Sequence, residues 1–458
     1  MQSFNRRLRP SLFLLLMAAL MAILWLAGGA TRADAAGQLM VRVGAWGAIM
    51  VAVLFGRGPR WPVDTVSCVI TAAILLAVLQ LIPISPSIWA SLPGREMFDE
   101  VAALTGGWQP WRPLSLAPSA TINALFSLSV PVAVYVIFRQ MDDREGGLLP
   151  SLLLLLIVAS MLSGLIQFSG VALNNPFIND SAGQVSGTFA NRNHFALFLA
   201  IGCLLTPVWV FIDGRRAGWR GPVGIALLLL MMLTILATGS RAGLLLGALG
   251  LFLGLSLGWD GIRRDLQSQP RWVAWAMVVA IVGTLAIFVL MSVIADRAVS
   301  IDRLLSVDAS QDMRSRALPT LWEMTKTYFP VGAGLGSFDP VFRIHEPLSL
   351  LNITYFNHAH NDFIELVLDC GLFGLFLLIF VLIWWAIKSI RVWSRREKSM
   401  IKPRLGSAIL LLVIIASLFD YPARTPMIMA VVVIGAIWLY DGSKTVRSSA
   451  LPKTRAEL

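Results

Sequence analysis

Residues 357–387 read NHAHNDFIELVLDCGLFGLFLLIFVLIWWAI, a short polar segment followed by a long apolar run. The apolar part exceeds the roughly 20 helical residues that cross a hydrocarbon core of about 30 Å. The polar part holds two of the chain's four histidines, His358 and His360, together with two asparagines and a carboxylate. The stretch therefore predicts a membrane helix that starts beside a polar site at the membrane surface.

The composition extends this prediction to the whole chain. Of its 458 residues, 57% are hydrophobic and 14% charged, and the mean hydropathy is +0.74, which is too apolar for a water-soluble globule. We expect an all-α, polytopic membrane protein of about 12 transmembrane helices. The expected spans are residues 11–30, 38–55, 65–84, 119–138, 148–168, 194–212, 222–237, 242–258, 272–294, 363–387, 406–419 and 426–440.

The positive charge indicates membrane orientation and not a nucleic-acid partner. The net charge is +11, but the Lys and Arg residues form short clusters between apolar spans. If the N-terminus is cytoplasmic, the alternate connections that fall on the cytoplasmic side carry most of these residues. This bias predicts an even number of spans and both termini in the cytoplasm. The three cysteines, Cys68, Cys203 and Cys370, lie in or beside apolar spans, so we expect no disulfide and no thiolate metal site.

Two of the connections on the opposite side are long, residues 85–118 and 295–362. In the second, residues 313–329 have helical periodicity, and the Gly-rich stretch 330–336 predicts a turn. A loop of this length usually has a function. The expected organisation is N-terminal transmembrane helices in 1–185, a catalytic region in 186–387 that includes periplasmic loop 295–362, and a C-terminal helical hairpin and tail in 388–458.

His360 stands directly before the expected helix. Asp362 and Glu365 resemble a helix start, so His360 falls at the positive end of the helix dipole. This position favours a neutral imidazole that can take a proton from a hydroxyl, although the two carboxylates oppose the effect. Interfacial hydrogen bonding is the alternative role for both histidines.

Neighbouring residues support a site at this position. Asn357 and Asn361 could orient an imidazole, and His358 could contact the same ligand. Gly371 and Gly374 lie one turn apart, where we expect a neighbouring helix to approach closely.

Two further segments open apolar spans on the same side. Arg241 lies between two apolar runs with almost no connecting loop, where a guanidinium could bind a lipid phosphate through two parallel hydrogen bonds. A snorkelling arginine is the alternative. Asn191 and Asn193 offer amides to sugar hydroxyls or to helix-end amides, and Arg192 adds a cation; simple helix capping is equally open.

Loop 295–362 contributes further arginines, Arg314 and Arg316 among them. His345 and Glu346 are only a weak metal signal, and no DxD motif accompanies them. We therefore expect a site without metal or other cofactor, which binds an anion through arginines and deprotonates a neutral nucleophile.

These segments resemble one bacterial superfamily, that of the O-antigen ligases and the related O-antigen and exopolysaccharide polymerases. Its ligase signature is His, then Asn, Ser or Gln, nine residues, Gly, two residues, and Gly, Thr or Tyr. His360, Asn361, Gly371 and Gly374 match it. Residues 187–196 and 239–243 are similar to the second and third family signatures, and residues 316–338 are similar to the run that precedes the histidine.

The resemblance implies a GT-C-type, metal-independent glycosyltransferase that acts on the periplasmic side of the inner membrane. The donor would be a glycan on undecaprenyl diphosphate. The acceptor would be a sugar hydroxyl, on lipid A core for a ligase or on another glycan chain for a polymerase. By this likeness His360 is the general base, and Arg241 with Arg192 or Arg316 binds the diphosphate. The expected substrate-binding residues are Arg192, Asn191, Asn193, His358, Asn361 and Arg314.

A transporter or flippase of lipid-linked oligosaccharides is the main alternative. Such a protein needs cationic residues deep in a central cavity, whereas these spans are nearly free of internal charge. A sensor or an assembly scaffold would leave the histidine motif unexplained.

Overall fold

The computed structural model describes residues 10–57, 64–104, 109–171, 173–178, 183–212, 216–268, 313–351, 356–395 and 397–449, with the single positions 106, 270, 279 and 283. In this part of the chain the structure is almost entirely helical, as the composition predicts. Its strands are one short antiparallel pair, β1 (Pro83–Ile84) with β2 (Arg112–Pro113).

The helices follow one another in chain order. They are α1 (Leu12–Ala27), α2 (Ala36–Phe55), α3 (Thr65–Gln80), α4 (Pro86–Ala90), α5 (Glu96–Leu104), α6 (Pro118–Ser127), α7 (Ser129–Gln140), α8 (Asp143–Gly146), α9 (Leu149–Phe168), α10 (Arg192–Val210), α11 (Arg220–Thr238), α12 (Arg241–Gln267), α13 (Met313–Tyr328), α14 (Phe338–His345), α15 (Asp362–Trp393), α16 (Ile401–Ala416) and α17 (Pro426–Ser449).

Seven helical segments in the described residues are long and apolar enough to cross a membrane. They are α2, α6 with α7, α8 with α9, α10, α11, α12 and α15. The shorter apolar helices Leu12–Ala27, Thr65–Gln80 and Pro426–Gly442 add to them. The chain is thus a membrane protein with multiple spans. The total of about 12 spans stays a prediction, and the expected span 272–294 falls almost wholly outside the described residues.

α10 and α12 form a closely packed parallel pair at the centre of the bundle. A Cβ atom added at Gly250 would lie 2.3 Å from the Ala200 carbonyl oxygen, and one at Gly254 would lie 2.7 Å from that of Leu204. Glycine at these positions lets the two backbones approach closely. Because the contacts advance in the same direction along both helices, α10 and α12 begin at the same end of the bundle.

Several connections meet at this end. The Ala190 amide donates to the Gly29 carbonyl at 3.1 Å, and the Met427 amide donates to the Gly28 carbonyl at 3.1 Å. The connections that converge here are those before α2, α10, α12, α15 and α17. The charge pattern assigns all five to the side opposite the cytoplasm; the membrane side itself stays a prediction. We call this the site end.

The opposite end of the bundle has its own ionic contacts. Arg139, near the end of α7, lies 2.6 Å from Asp64 before α3 and 3.0 Å from Asp441 in α17. These contacts join one helix start to two helix ends. Spans that alternate in direction place helix starts and helix ends together at each end of the bundle, as these contacts do.

α15 is broken in its first half, at its tenth residue. Gly371 has φ 57° and ψ −138°, and a Cβ atom there would lie 2.0 Å from the Pro330 carbonyl oxygen. The Leu372 amide donates to that oxygen at 2.8 Å, and the Asp369 carbonyl accepts from the Gly334 amide at 2.9 Å. The neighbour at Gly371 is therefore the backbone of turn 330–336, so the expectation of a neighbouring helix there was wrong. The turn and the helix before it are confirmed.

Arg95 joins the two long connections. Its side chain is fully buried and donates to the carbonyls of Pro93, Leu114 and Gly332 at 2.8, 2.9 and 3.1 Å. Burial lowers the pKa of Arg95 to about 10, so it keeps its charge at neutral pH. Segment 85–118 and turn 330–336 are thus held together at the site end.

Candidate active site

His360 lies at the start of α15, as the sequence predicts. Asn361 caps this helix, because its Oδ1 accepts from the amides of Phe363 and Ile364 at 3.0 Å each. The Asn361 amide donates to the Leu418 carbonyl at 3.1 Å. The idea that Asn361 orients an imidazole was therefore wrong. His360 itself has φ +50°, an uncommon conformation that places it just before the first helical turn.

The partner of His360 is Asp420, in the short connection between α16 and α17. His360 Nδ1 lies 3.0 Å from Asp420 Oδ1, and the Tyr421 amide donates to the same oxygen at 3.0 Å. The other oxygen accepts from the side-chain amides of Asn191 at 3.1 Å and of Asn193 at 2.6 Å. The carboxylate, whose side chain is 5% exposed, is thus held from three elements.

The electrostatics of Asp420 fix the tautomer of His360. Burial opposes ionisation, but contacts with His194 and His360 hold the pKa of Asp420 well below its usual range. An ionised carboxylate only accepts hydrogen bonds, so the Nδ1 atom of His360 must carry the proton. In the neutral ring Nε2 is then the atom that can accept a proton.

His358 has a separate carboxylate. Its Nδ1 lies 2.8 Å from Glu365 Oε1. Its ring packs on Tyr421 with 4.3 Å between centroids, and Tyr421 also contacts the rings of His194 and His360 at 5.0 Å each. Tyr421 therefore separates three imidazoles.

Arg424 binds a row of acids on α15. Its guanidinium lies 3.4 Å from Asp362, 3.1 Å from Glu365 and 3.4 Å from Asp369, three residues that the helical repeat places on one face. Burial lowers the pKa of Arg424, but these carboxylates raise it above its usual range. The connection 417–425 is thereby fixed against the start of α15.

The sequence reasoning missed Asp420, Tyr421 and Arg424. It treated residues 420–425 as a short connection and nothing more. The available signal was a carboxylate, an aromatic residue and an arginine together between two apolar spans, on the same side as the histidines.

The candidate residues of α10 and α12 also lie at the site end. Asn191 caps α10, since its Oδ1 accepts from the Asn193 amide at 2.8 Å, so the capping alternative is confirmed for this residue. Arg192 is the first residue of α10, and Arg241 is the first residue of α12. Because these helices are parallel, both arginines lie at the end of the bundle that carries His360.

The two loop arginines differ in their surroundings. Arg314 donates from Nη1 to the Phe419 carbonyl at 3.1 Å, and its Nη2 lies 3.6 Å from Asp420 Oδ2. Arg316 donates to the Ser349 carbonyl at 2.7 Å, within its own loop. The structure thus brings Arg314, and not Arg316, to the histidine's carboxylate.

A cavity of about 100 Å³ opens beside these residues. It has room for about three water molecules. The residues that line it are Gly29, Ala30, Thr31, Arg32, Ala190, Asn191, His194, Asn357 and Tyr421. The connection between α1 and α2 therefore forms one wall of the cavity, and residues around His194 and Tyr421 form the other. Among the described residues no group of three or more His, Cys, Asp or Glu side chains is arranged to hold a metal ion.

Comparison with known proteins agrees with this arrangement. Residues 226–379 match the sequence profile of a family described as O-Antigen ligase, a range that contains Arg241, the loop arginines and His360. The chain is also 25% identical over 281 residues to the exopolysaccharide production protein ExoQ of Rhizobium meliloti (strain 1021). That alignment covers 59% of this chain and 60% of the relative. Over these ranges the chain is thus similar to O-antigen ligases and to a protein of exopolysaccharide production, and it spans about three-fifths of the length of that relative.

Proposed function

We propose that the chain is a membrane glycosyltransferase, which transfers a glycan from undecaprenyl diphosphate to a sugar hydroxyl on the periplasmic side of the inner membrane. The observation that carries this proposal is the contact between His360 Nδ1 and Asp420 Oδ1 at 3.0 Å. This pair lies at the same end of the bundle as Arg192 and Arg241, the first residues of α10 and α12. The matched family supports a lipid-linked glycan as substrate.

His360 acts as the general base. Its Nε2 takes the proton of the acceptor hydroxyl while the hydroxyl oxygen bonds to the anomeric carbon of the donor. The bond between that carbon and the diphosphate breaks, and its electron pair leaves with the diphosphate. In-line attack inverts the anomeric configuration. Asp420 orients the ring and stabilises the imidazolium that forms.

Arginines bind the leaving group. Expelling a lipid diphosphate requires stabilisation of the negative charge that develops on it, and prepositioned guanidinium groups supply this stabilisation. We assign the role to Arg241 with Arg192 and Arg314, since Arg314 lies beside Asp420. Arg316, the alternative expected from the sequence, remains a candidate for binding the diphosphate, because it lies in the same helix as Arg314. The site needs no metal ion in this scheme.

The remaining polar residues contact or position the sugars. Asn191 and Asn193 hold Asp420, the ring of His358 packs on Tyr421, and Asn357 and Tyr421 both line the cavity. The acceptor is lipid A core if the protein is a ligase, and another glycan chain if it is a polymerase. Deleting the protein separates the two: a ligase mutant keeps free polymer but loses capped lipopolysaccharide, whereas a polymerase mutant loses long chains altogether.

Alanine substitution of the two histidines tests the mechanism. We expect His360→Ala to insert normally, to lower transfer by at least about 100-fold and to accumulate the lipid-linked glycan. The matched variant His358→Ala, which leaves the His360–Asp420 pair in place, keeps measurable transfer. Arg241→Lys impairs transfer too, because a point charge cannot make the two-pronged phosphate contact. Normal transfer by His360→Ala would overturn the proposed function.

A further inference from the structure

α2 carries a single charged residue, Arg42. It lies six residues after the helix start at Ala36, or about 9 Å along the axis from the site end. A charged side chain within a membrane span is costly, and such residues commonly mark a functional site. Arg42 has no part in the mechanism above.

The surroundings of Arg42 leave its charge uncompensated. Its Nη2 donates to Oδ1 of Asn123 in α6, and its Nε is buried without a hydrogen-bond partner in the structure. No carboxylate of the described residues forms an ion pair with it. A guanidinium has five N–H donors, so most of them remain available to an anion from outside the chain.

The pair bridges a seam between two helix pairs. α2 packs along α7, whereas α6 packs along α3, so Arg42 and Asn123 meet between two helix pairs. Exposed apolar side chains flank the seam on both helices: Leu39, Val43 and Trp46 on α2, and Ile122 and Phe126 on α6. A lipid tail could therefore lie against the seam while its head group meets the guanidinium.

The seam leads toward the active site. Gln38 lies one turn before Arg42, on the same face of α2, and donates to the Ala30 carbonyl at 2.7 Å. Ala30 lines the cavity that His194 and Tyr421 also line. One helical turn thus separates Arg42 from the residue that fixes the cavity wall.

We propose that Arg42 and Asn123 form a binding site for the phosphate of a polyisoprenyl diphosphate that enters from the membrane. The guanidinium binds the phosphate oxygens, and the Asn123 amide is a second donor. The identity of this lipid rests on the proposed function. The same chemistry would also suit the phosphate of an ordinary phospholipid, so the test must separate the two sources.

The test measures binding of geranylgeranyl diphosphate to the full-length protein in phosphatidylcholine nanodiscs, without acceptor. We expect Arg42→Gln to weaken binding at least 10-fold. Asn123→Asp should do the same while raising the melting temperature, because the new carboxylate neutralises Arg42 from within the chain. Arg343→Gln is the control, since Arg343 is an exposed arginine of α14 paired with Asp339.

Three results would overturn the site: no binding by the wild type, wild-type binding by both seam variants, or displacement of the diphosphate by phosphatidylglycerol at equal concentration. Loss of binding in Asn123→Asp together with a raised melting temperature supports it, because a purely structural role for Arg42 predicts that this more stable variant binds the diphosphate as the wild type does. The binding result does not depend on catalysis. Normal turnover by His360→Ala would overturn the proposed function while leaving the measured lipid site in place.

Discussion

His358 and His360 each contact a carboxylate. The two carboxylates differ in the other groups that contact them. Glu365, the partner of His358, also binds Arg424 at 3.1 Å, so its charge is already compensated. Asp420, the partner of His360, is held by neutral amides and lies 3.6 Å from Arg314. The carboxylate beside His358 is thus shared with a guanidinium in direct contact, whereas side-chain amides hold the carboxylate that orients the His360 ring.

Sequence reasoning found the histidine but not the carboxylate. His360 could be located because helix-start signals surround it in the chain. Asp420 is 60 positions away, and a single carboxylate in a short connection resembles any solvated turn until the fold brings it to the imidazole. Likewise, the choice between Arg314 and Arg316 depends on which side of α13 meets residue 419.

Asp420→Asn tests the ion pair at this scale. We expect transfer to fall at least about 10-fold, because the amide cannot stabilise an imidazolium as a carboxylate does. Since the pKa of Asp420 is lowered, its stabilising charge is present above the ordinary carboxyl pKa of about 3.9 and is lost as the pH falls through the folded-state value. The melting-temperature gap between wild type and variant should be present at pH 5 and should shrink in stronger acid. A gap that is unchanged down to pH 2 would contradict this account.

At the scale of elements, hydropathy predicted helices and their approximate ends, but not their interruptions. The expected span 363–387 lies inside α15, and the expected span 119–138 is divided between α6 and α7 at Leu128. The break in α15 depends on Pro330, which is far away in the chain, so no local pattern could reveal it. Gly371 matched a family signature, but the signature does not reveal that the Pro330 carbonyl lies against this glycine.

Gly371→Ala tests the break. Alanine would need φ +57°, and its Cβ would collide with the Pro330 carbonyl oxygen. We expect a loss of at least about 2 kcal/mol in unfolding free energy, measured by thermal or denaturant unfolding in detergent, together with loss of transfer. Gly47→Ala in α2 is the control, because a Cβ there meets nothing within 4 Å; it should be neutral or slightly stabilising. Equal stability of the two variants would show that the break carries no strain.

On the scale of the whole molecule, alternation of the spans predicted which connections share a side, and five of them meet at one end of the bundle. The Lys and Arg pattern could supply this because it records membrane orientation. It could not supply the parallel contact of α10 and α12, which brings Arg192 and Arg241 to the same end. That contact depends on the glycines of α12, whose neighbours are defined only in the fold.

The orientation itself can be tested by chemical labelling. Leu348 lies in the loop at the site end and is 86% exposed, whereas Trp219 precedes α11 at the other end and is 69% exposed. A cysteine at either position, in a Cys68→Ser background, is probed with a membrane-impermeant maleimide in cells whose outer membrane has been permeabilised. Because Cys203 and Cys370 are buried, they contribute little background. Leu348→Cys should be labelled directly, and Trp219→Cys only after the inner membrane is disrupted. The reverse pattern would place His360 and its arginines in the cytoplasm, where a donor already exported on its lipid carrier could not reach them.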